Sequence, residues 1–125
     1  MIAADTSTWV AFLEGEPGDD VIVLDQALKD QQVLMPPVVL TELLSDPGLS
    51  AAVAHILLQV PLIEVAAEYW RRAGGLRAKV LARQRKARLG DALIAQSCLD
   101  RGVPLITRDR DFRSFAQAAG LRLIP

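Results

Sequence analysis

The chain has 125 residues, 51% of them hydrophobic and 23% charged, with a net charge of −1. That length and balance describe a single globular domain, residues 1–125, with a core of its own, and they exclude a disordered chain. One cysteine (Cys98) and one histidine (His55) exclude an intrachain disulfide and a tetrahedral zinc site built by one chain.

Ile2-Ala3-Ala4 reads as a short strand ending at Asp5, and Thr6 to Leu13 as a helix capped by Asp5 or Thr6. A break from Gly15 to Gly18 precedes a helix over 19–31, whose apolar residues Val21, Leu24, Ala27 and Leu28 recur at helical spacing. Val33-Leu34-Met35 is a second strand. Pro36-Pro37 opens a helix, since the first turn needs no proline N–H, and Glu42 lies at the edge of its apolar stripe. A helix over 49–60, a strand over 62–65 and a long helix over 66–86, with Gly74-Gly75 as a candidate break, come next. Asp91 opens an apolar helical run that reaches about Arg101. Gly102-Val103-Pro104 turns into a buried strand, Leu105-Ile106-Thr107. A helix over 112–119 with Gly120 as its cap and a last strand, 121–124, close the chain. Strands alternating with helices predict an α/β fold with a mainly parallel sheet. The functional crevice of such a sheet lies beyond the carboxyl ends of its strands, where Asp5 and Asp109 would both rise.

Asp91 follows a glycine at or near a helix N-terminus, where unpaired N–H groups favour negative charge. Capping alone would account for it. Its company argues for more: Asp5, Glu42, Asp109 and Asp111 stand where the fold can gather them. Several carboxylates in one place repel one another unless a cation lies between them. With oxygen donors only, the cation expected is Mg²⁺, with Mn²⁺ as the alternative. The plainer reading is two helix caps, one solvated helix acid and a turn pair, and spacing alone does not separate the two.

Four motifs, taken as an ordered set, bring a family resemblance into view. Asp5-Thr6-Ser7 after the first strand, Leu40-Thr41-Glu42-Leu43-Leu44 on an early helix, Gly90-Asp91-Ala92-Leu93-Ile94-Ala95, and Leu105 to Phe112 around Asp109 and Asp111 resemble, in order, the motifs of a PIN domain. The resemblance spans nearly the whole chain and is to the VapC toxins of bacterial type II toxin–antitoxin pairs. It implies a three-layer α/β/α domain with a short parallel sheet and a Mg²⁺-dependent ribonuclease that leaves 5′-phosphate and 3′-hydroxyl ends. It implies Asp5, Glu42, Asp91 and Asp109 as the acidic quartet, with Asp5, Asp91 and Asp109 holding metal and Glu42 binding a second ion or positioning the attacking water. Asp109 and Asp111 remain alternatives for the last acid. Ser7 and Thr107 would support a ligand carboxylate or the scissile phosphate, or only cap their elements. The resemblance also implies a homodimer and a VapB-like antitoxin that masks the site.

Charge is unevenly spread: residues 1–70 sum to −10 and residues 71–125 to +9. Arg71, Arg72, Arg77, Lys79, Arg83, Arg85, Lys86 and Arg88 fall within eighteen residues that contain no acid. Such a run is a candidate RNA-backbone surface, or else a solvated helix face. The expected members of the RNA contact are Arg77, Lys79, Arg83, Arg85, Lys86 and Arg88.

Other acid-bearing folds fit less well. A haloacid-dehalogenase-type phosphatase needs a second Asp two residues after the first, and Ser7 stands there. A receiver domain's N-terminal acidic pair and mid-chain phosphoacceptor are missing, as is a dinucleotide-binding glycine fingerprint. The serious rival is a PIN-like binding module for RNA or protein with little catalysis. The N-terminus lacks a basic leader and Asp5 interrupts its apolar run, no stretch reaches ~20 apolar residues, and a lone free thiol suits a reducing compartment. The cytoplasm is the expected location, without membrane contact.

Overall fold

A computed structural model of the chain describes residues 1–124. Its elements are β1 (Ile2–Ala4), α1 (Thr6–Leu13), α2 (Asp19–Lys29), β2 (Val33–Leu34), α3 (Pro37–Leu44), α4 (Ala51–Leu58), α5 (Tyr69–Ala82), α6 (Leu89–Arg101), β3 (Leu105–Ile106), a 3-10 turn (Arg110–Phe112), α7 (Arg113–Ala119) and β4 (Leu123–Ile124). All strand pairs are parallel and the sheet order is β2-β1-β3-β4. Ala3 pairs with Leu34 on one side and Leu105 on the other.

The strands are wholly apolar, as a parallel sheet between helix layers requires, with β2 and β3 buried, β1 buried except at Ile2, and the edge strand β4 half-buried. Trp9, Leu24, Met35, Leu105, Ile106, Phe112 and Phe115 are among the fully buried core side chains. Helices α1, α2 and α3 pack together, α5 packs on α6 and α7, and α3 also meets α6. This is the three-layer α/β/α arrangement. From β1 the chain moves outward to β2 and then returns to β3 on the opposite side. The direction therefore reverses between β1 and β3, which is where an open α/β sheet leaves its crevice.

Several local expectations change. The strand expected over 62–65 is a single bridge, Met35 to Leu62. It continues the edge of the sheet just beyond β2, and Leu62 and Val65 are half exposed, so little apolar burial rewards further pairing. The helix expected over 66–86 is shorter, Tyr69–Ala82, and Gly74-Gly75 does not split it. Buried Ala73, Leu76 and Val80 hold it through the glycine pair. Its C-terminus comes before Gln84, whose φ of 57° stops the helix and releases the loop 83–88.

Candidate active site

Asp5 is buried, 3% exposed, directly after β1. Its Oδ1 accepts the Thr8 backbone N–H at 3.1 Å, so it does cap α1. Capping is only part of its bonding. Both carboxylate oxygens lie 2.8 Å from Ser7 Oγ, and Oδ2 accepts the Thr107 hydroxyl, also at 2.8 Å. Burial raises the Asp5 pKa, the hydrogen bonds from Thr107, Ser7 and the Thr8 backbone oppose the rise, and nearby Asp109 adds to it.

Thr107 follows β3. Its hydroxyl oxygen accepts the Asp109 backbone N–H at 2.9 Å while donating to Asp5. Asp109 Oδ1 in turn accepts the Asp111 N–H at 2.9 Å, which starts the 3-10 turn. The turn pair is thereby held against β1.

Asp91 is not the cap of α6. The helix starts two residues earlier, Arg88 stands at the N-cap, and Asp91 lies in the first turn. Its Oδ2 is buried without a hydrogen-bond partner, the one orphaned carboxylate oxygen among the described residues. Burial, then Asp109, push its pKa up to about 6. Arg88 opposes, and Asp5 and Glu42 add smaller repulsions. Glu42 approaches from α3. Its Oε1 accepts the Thr6 hydroxyl at 2.7 Å, and both its oxygens lie 3.9 Å from the position a Cβ would take at Gly90. Gly90 therefore passes beside the Glu42 carboxylate, at a spacing where a Cβ would make only ordinary van der Waals contact.

The quartet therefore converges, and Asp111 joins it. One oxygen each from Asp91, Asp109 and Asp111 lie within 4.8 Å of one another. Asp5, expected as a core ligand, is outside this tightest group and borders it through Asp109. An orphaned, buried carboxylate oxygen with a raised pKa among acids is the donor set a hard divalent cation satisfies, so the residues fit Mg²⁺ or Mn²⁺.

The basic run is more heterogeneous than its charge pattern implies. Arg71 pairs with Glu68, and Arg72 with Asp100, both acids outside the run. Arg77 Nε donates to the Ala87 carbonyl at 2.8 Å, closing the loop 83–88 onto α5. Lys79, Arg83, Arg85, Lys86 and Arg88 remain exposed, with Lys86 Nζ 3.5 Å from Asp111 Oδ2. Sequence reasoning missed Thr6 as the holder of Glu42, although it adjoins Asp5. It also missed Arg108, which spans to Glu16 and Asp20. No local pattern announces a pairing across 88 residues.

A parallel sheet with carboxylates gathered at the reversal of its strand order defines an α/β domain with an acidic metal-type site. The model of the PIN domain matches residues 2–118. The chain belongs to the PIN domain family. Similar solved structures include DNA-bound VapBC from Salmonella typhimurium, 20% identical with a TM-score of 0.76 over 99% of this chain and 98% of that one. VapBC-5 from Mycobacterium tuberculosis is 25% identical, with a TM-score of 0.66 over 98% of this chain and 96% of that one. FitAcB from Neisseria gonorrhoeae is 17% identical, with a TM-score of 0.71 over 100% of this chain and 97% of that one. No curated protein matches the chain at a significant level. Among the described residues no helix is long and apolar enough to cross a membrane.

Proposed function

We propose that the protein is a Mg²⁺-dependent endoribonuclease, with Mn²⁺ as a substitute ion, acting as the toxin of a VapBC-type pair. The carrying observation is the orphaned Asp91 oxygen among Asp5, Glu42, Asp109 and Asp111 at the switch point. In this reading Asp5, Asp91 and Asp109 hold the ion, and Asp111 shares the duty of Asp109. A divalent ion bound there supplies charge to polarise a phosphodiester and to acidify a water. Glu42, steadied by Thr6, orients the attacking water from the α3 side. Ser7 and Thr107 fix the Asp5 carboxylate, so its oxygens are already aimed before substrate arrives.

Partner assembly belongs to the same reading. An apolar groove of about 700 Å³, lined in part by Trp9, Phe12, Leu28, Val53, Ile56 and Leu57, supports docking of a VapB-like antitoxin. Trp70, Leu81 and Leu89, exposed on α5 and α6, support a homodimer. The similar VapBC structures are complexes of that kind of pair. The single domain would work in the cytoplasm, on RNA.

The test is cleavage of a mixed RNA pool by purified protein, with Mg²⁺ or EDTA, beside Asp91→Asn. Cleavage requiring both the ion and Asp91 is expected. Salt-dependent RNA binding with no cleavage in any lane would favour the binding-module reading instead.

A further inference from the structure

The acid cluster opens on one side into a basic groove. The loop 83–88, the 3-10 turn and α7 enclose about 410 Å³, lined by Arg85, Lys86, Arg110, Asp111 and Arg113 with neutral polar neighbours. Asp111 belongs to both places. It lines the groove, and its carboxylate is within 4.8 Å of those of Asp91 and Asp109. The groove therefore adjoins the acid cluster at Asp111.

Four cations face one carboxylate here, and only Lys86 is engaged with it. Among the described residues, Arg85, Arg110 and Arg113 make no ion pair, and all three are exposed. This distinguishes them from Arg71, Arg72 and Arg77, whose guanidinium groups are committed elsewhere. A polyanion approaching a cluster of carboxylates is repelled, so its phosphates must be held by cations beside that cluster. Guanidinium forks suit phosphate oxygens better than ammonium groups do.

We propose that this groove seats the backbone phosphates of RNA flanking the bond to be cut, with Arg110 and Arg113 as the principal phosphate-holding residues beside Arg85 and Lys86. The inference rests on the ribonuclease reading of the acid cluster and names the substrate-positioning residues that reading lacks. Two of them, Arg110 and Arg113, come from the far side of β3 and not from the basic run. Lys86 and Asp111, 3.5 Å apart, both line the groove, and Asp111 is the residue it shares with the acid cluster.

The test is binding of a fluorescein-labelled single-stranded RNA to the full chain in EDTA, followed by anisotropy across a salt series. Arg110→Ala/Arg113→Ala should bind about tenfold more weakly, with the salt slope reduced by about 1.4, near 0.7 for each lost phosphate contact. Arg71→Ala/Arg101→Ala, two exposed arginines that do not line the groove, serves as the comparison and should change both far less. Charge reversal, Arg113→Glu, should weaken binding further than Arg113→Ala, and matched circular dichroism melts exclude unfolding as the cause. With Mg²⁺ the double variant should raise KM and retain kcat. Unchanged affinity and slope in the double variant, while the wild type binds, would overturn the proposal. Groove-dependent binding without Mg²⁺-dependent cleavage would uphold the groove and defeat the nuclease reading. Cleavage with an unchanged KM in the double variant would do the reverse.

Discussion

Thr107 and Asp5 stand 102 residues apart in sequence, and the hydroxyl of one donates to the carboxylate of the other at 2.8 Å. The same hydroxyl accepts the Asp109 N–H. One side chain thus ties the exit of β1 to the exit of β3 and sets two of the acids against each other. Thr107→Val keeps the shape and removes both bonds. Asp5 then loses one of the interactions that hold its pKa down, so that pKa should rise further. Breaking hydrogen bonds of this kind costs about 1–3 kcal/mol. The expected outcome is a lower melting temperature and a fall in RNA cleavage, with Thr107→Ser restoring most of both. Equal activity in the valine variant would leave Thr107 without a positioning role.

Asp91 carries a pKa pushed up to about 6, above its ordinary value of 3.8. A carboxyl group with a raised folded-state pKa binds its proton more tightly when folded, so it favours folding at low pH. That advantage is lost as pH rises from about 4 to about 6, and above 6 the ionised group destabilises the fold. Asp91→Asn should therefore melt higher than the wild type at pH 7.5, with the gap closing near pH 4. Mg²⁺ should raise the wild-type melting temperature at pH 7.5 and leave that of Asp91→Asn nearly unchanged. A Mg²⁺ shift of the same size in both would place the ion elsewhere.

The Arg72–Asp100 pair shifts a pKa in the opposite direction. Both Asp100 oxygens face the Arg72 guanidinium, which holds the Asp100 carboxyl below the usual range, with Gln96 assisting. The pair joins α5 to α6, the helix that carries Asp91. A depressed folded-state pKa gives stability above the unfolded value of 3.8 and loses it as pH falls through the folded value. Asp100→Asn should cost about 1–2 kcal/mol at pH 7 and much less near pH 3. Thermal melts at the two pH values check this, and a pH-independent loss would point to packing instead.

Most of the fold was legible because its signals are local. Apolar triplets ending at Asp5 and after Leu105, the proline pair before α3, and Gly102 and Gly120 in the left-handed region at their helix ends each carry their own physics. The acids are legible as a set through the order of the four motifs, since their spacing alone leaves a capping reading open, and Glu42 lies within α3 rather than at its end. Two kinds of feature were not. Gly74-Gly75 looked like a break, yet the buried positions either side of it outweigh the propensity cost. The basic run looked unpaired, yet Glu68 and Asp100 lie outside it and reach in. The Arg72–Asp100 pair spans 28 residues and leaves no trace in spacing, whereas Glu68 stands one helical turn before Arg71; Arg110 and Arg113 meet Arg85 and Lys86 only once the fold sets the 3-10 turn and α7 beside the loop 83–88.

Gly18 closes a second long-range pairing of this kind. Arg108, next to Asp109, reaches across to Asp20 at 2.8 Å, Glu16 at 3.1 Å and the Pro17 carbonyl at 3.3 Å. Asp20 also accepts the Thr8 hydroxyl at 2.9 Å. The loop before α2 is thereby clamped over the exit of β3. Gly18 stands inside the clamp with φ of 154°, a conformation that side chains rarely adopt. A Cβ there would collide with the Asp20 carboxylate and come within 2.7 Å of Arg108 Nη2. Gly18→Ala must strain the backbone or push the ion pair apart, at a cost of about 1–3 kcal/mol. The melting temperature should drop by several degrees. Because Arg108 adjoins Asp109, RNA cleavage should also fall, even at temperatures where the variant remains folded. Arg108→Ala, which releases the clamp without a clash, should reproduce the loss of cleavage. Full activity in Arg108→Ala would show that the clamp serves stability alone and leaves the acids in place.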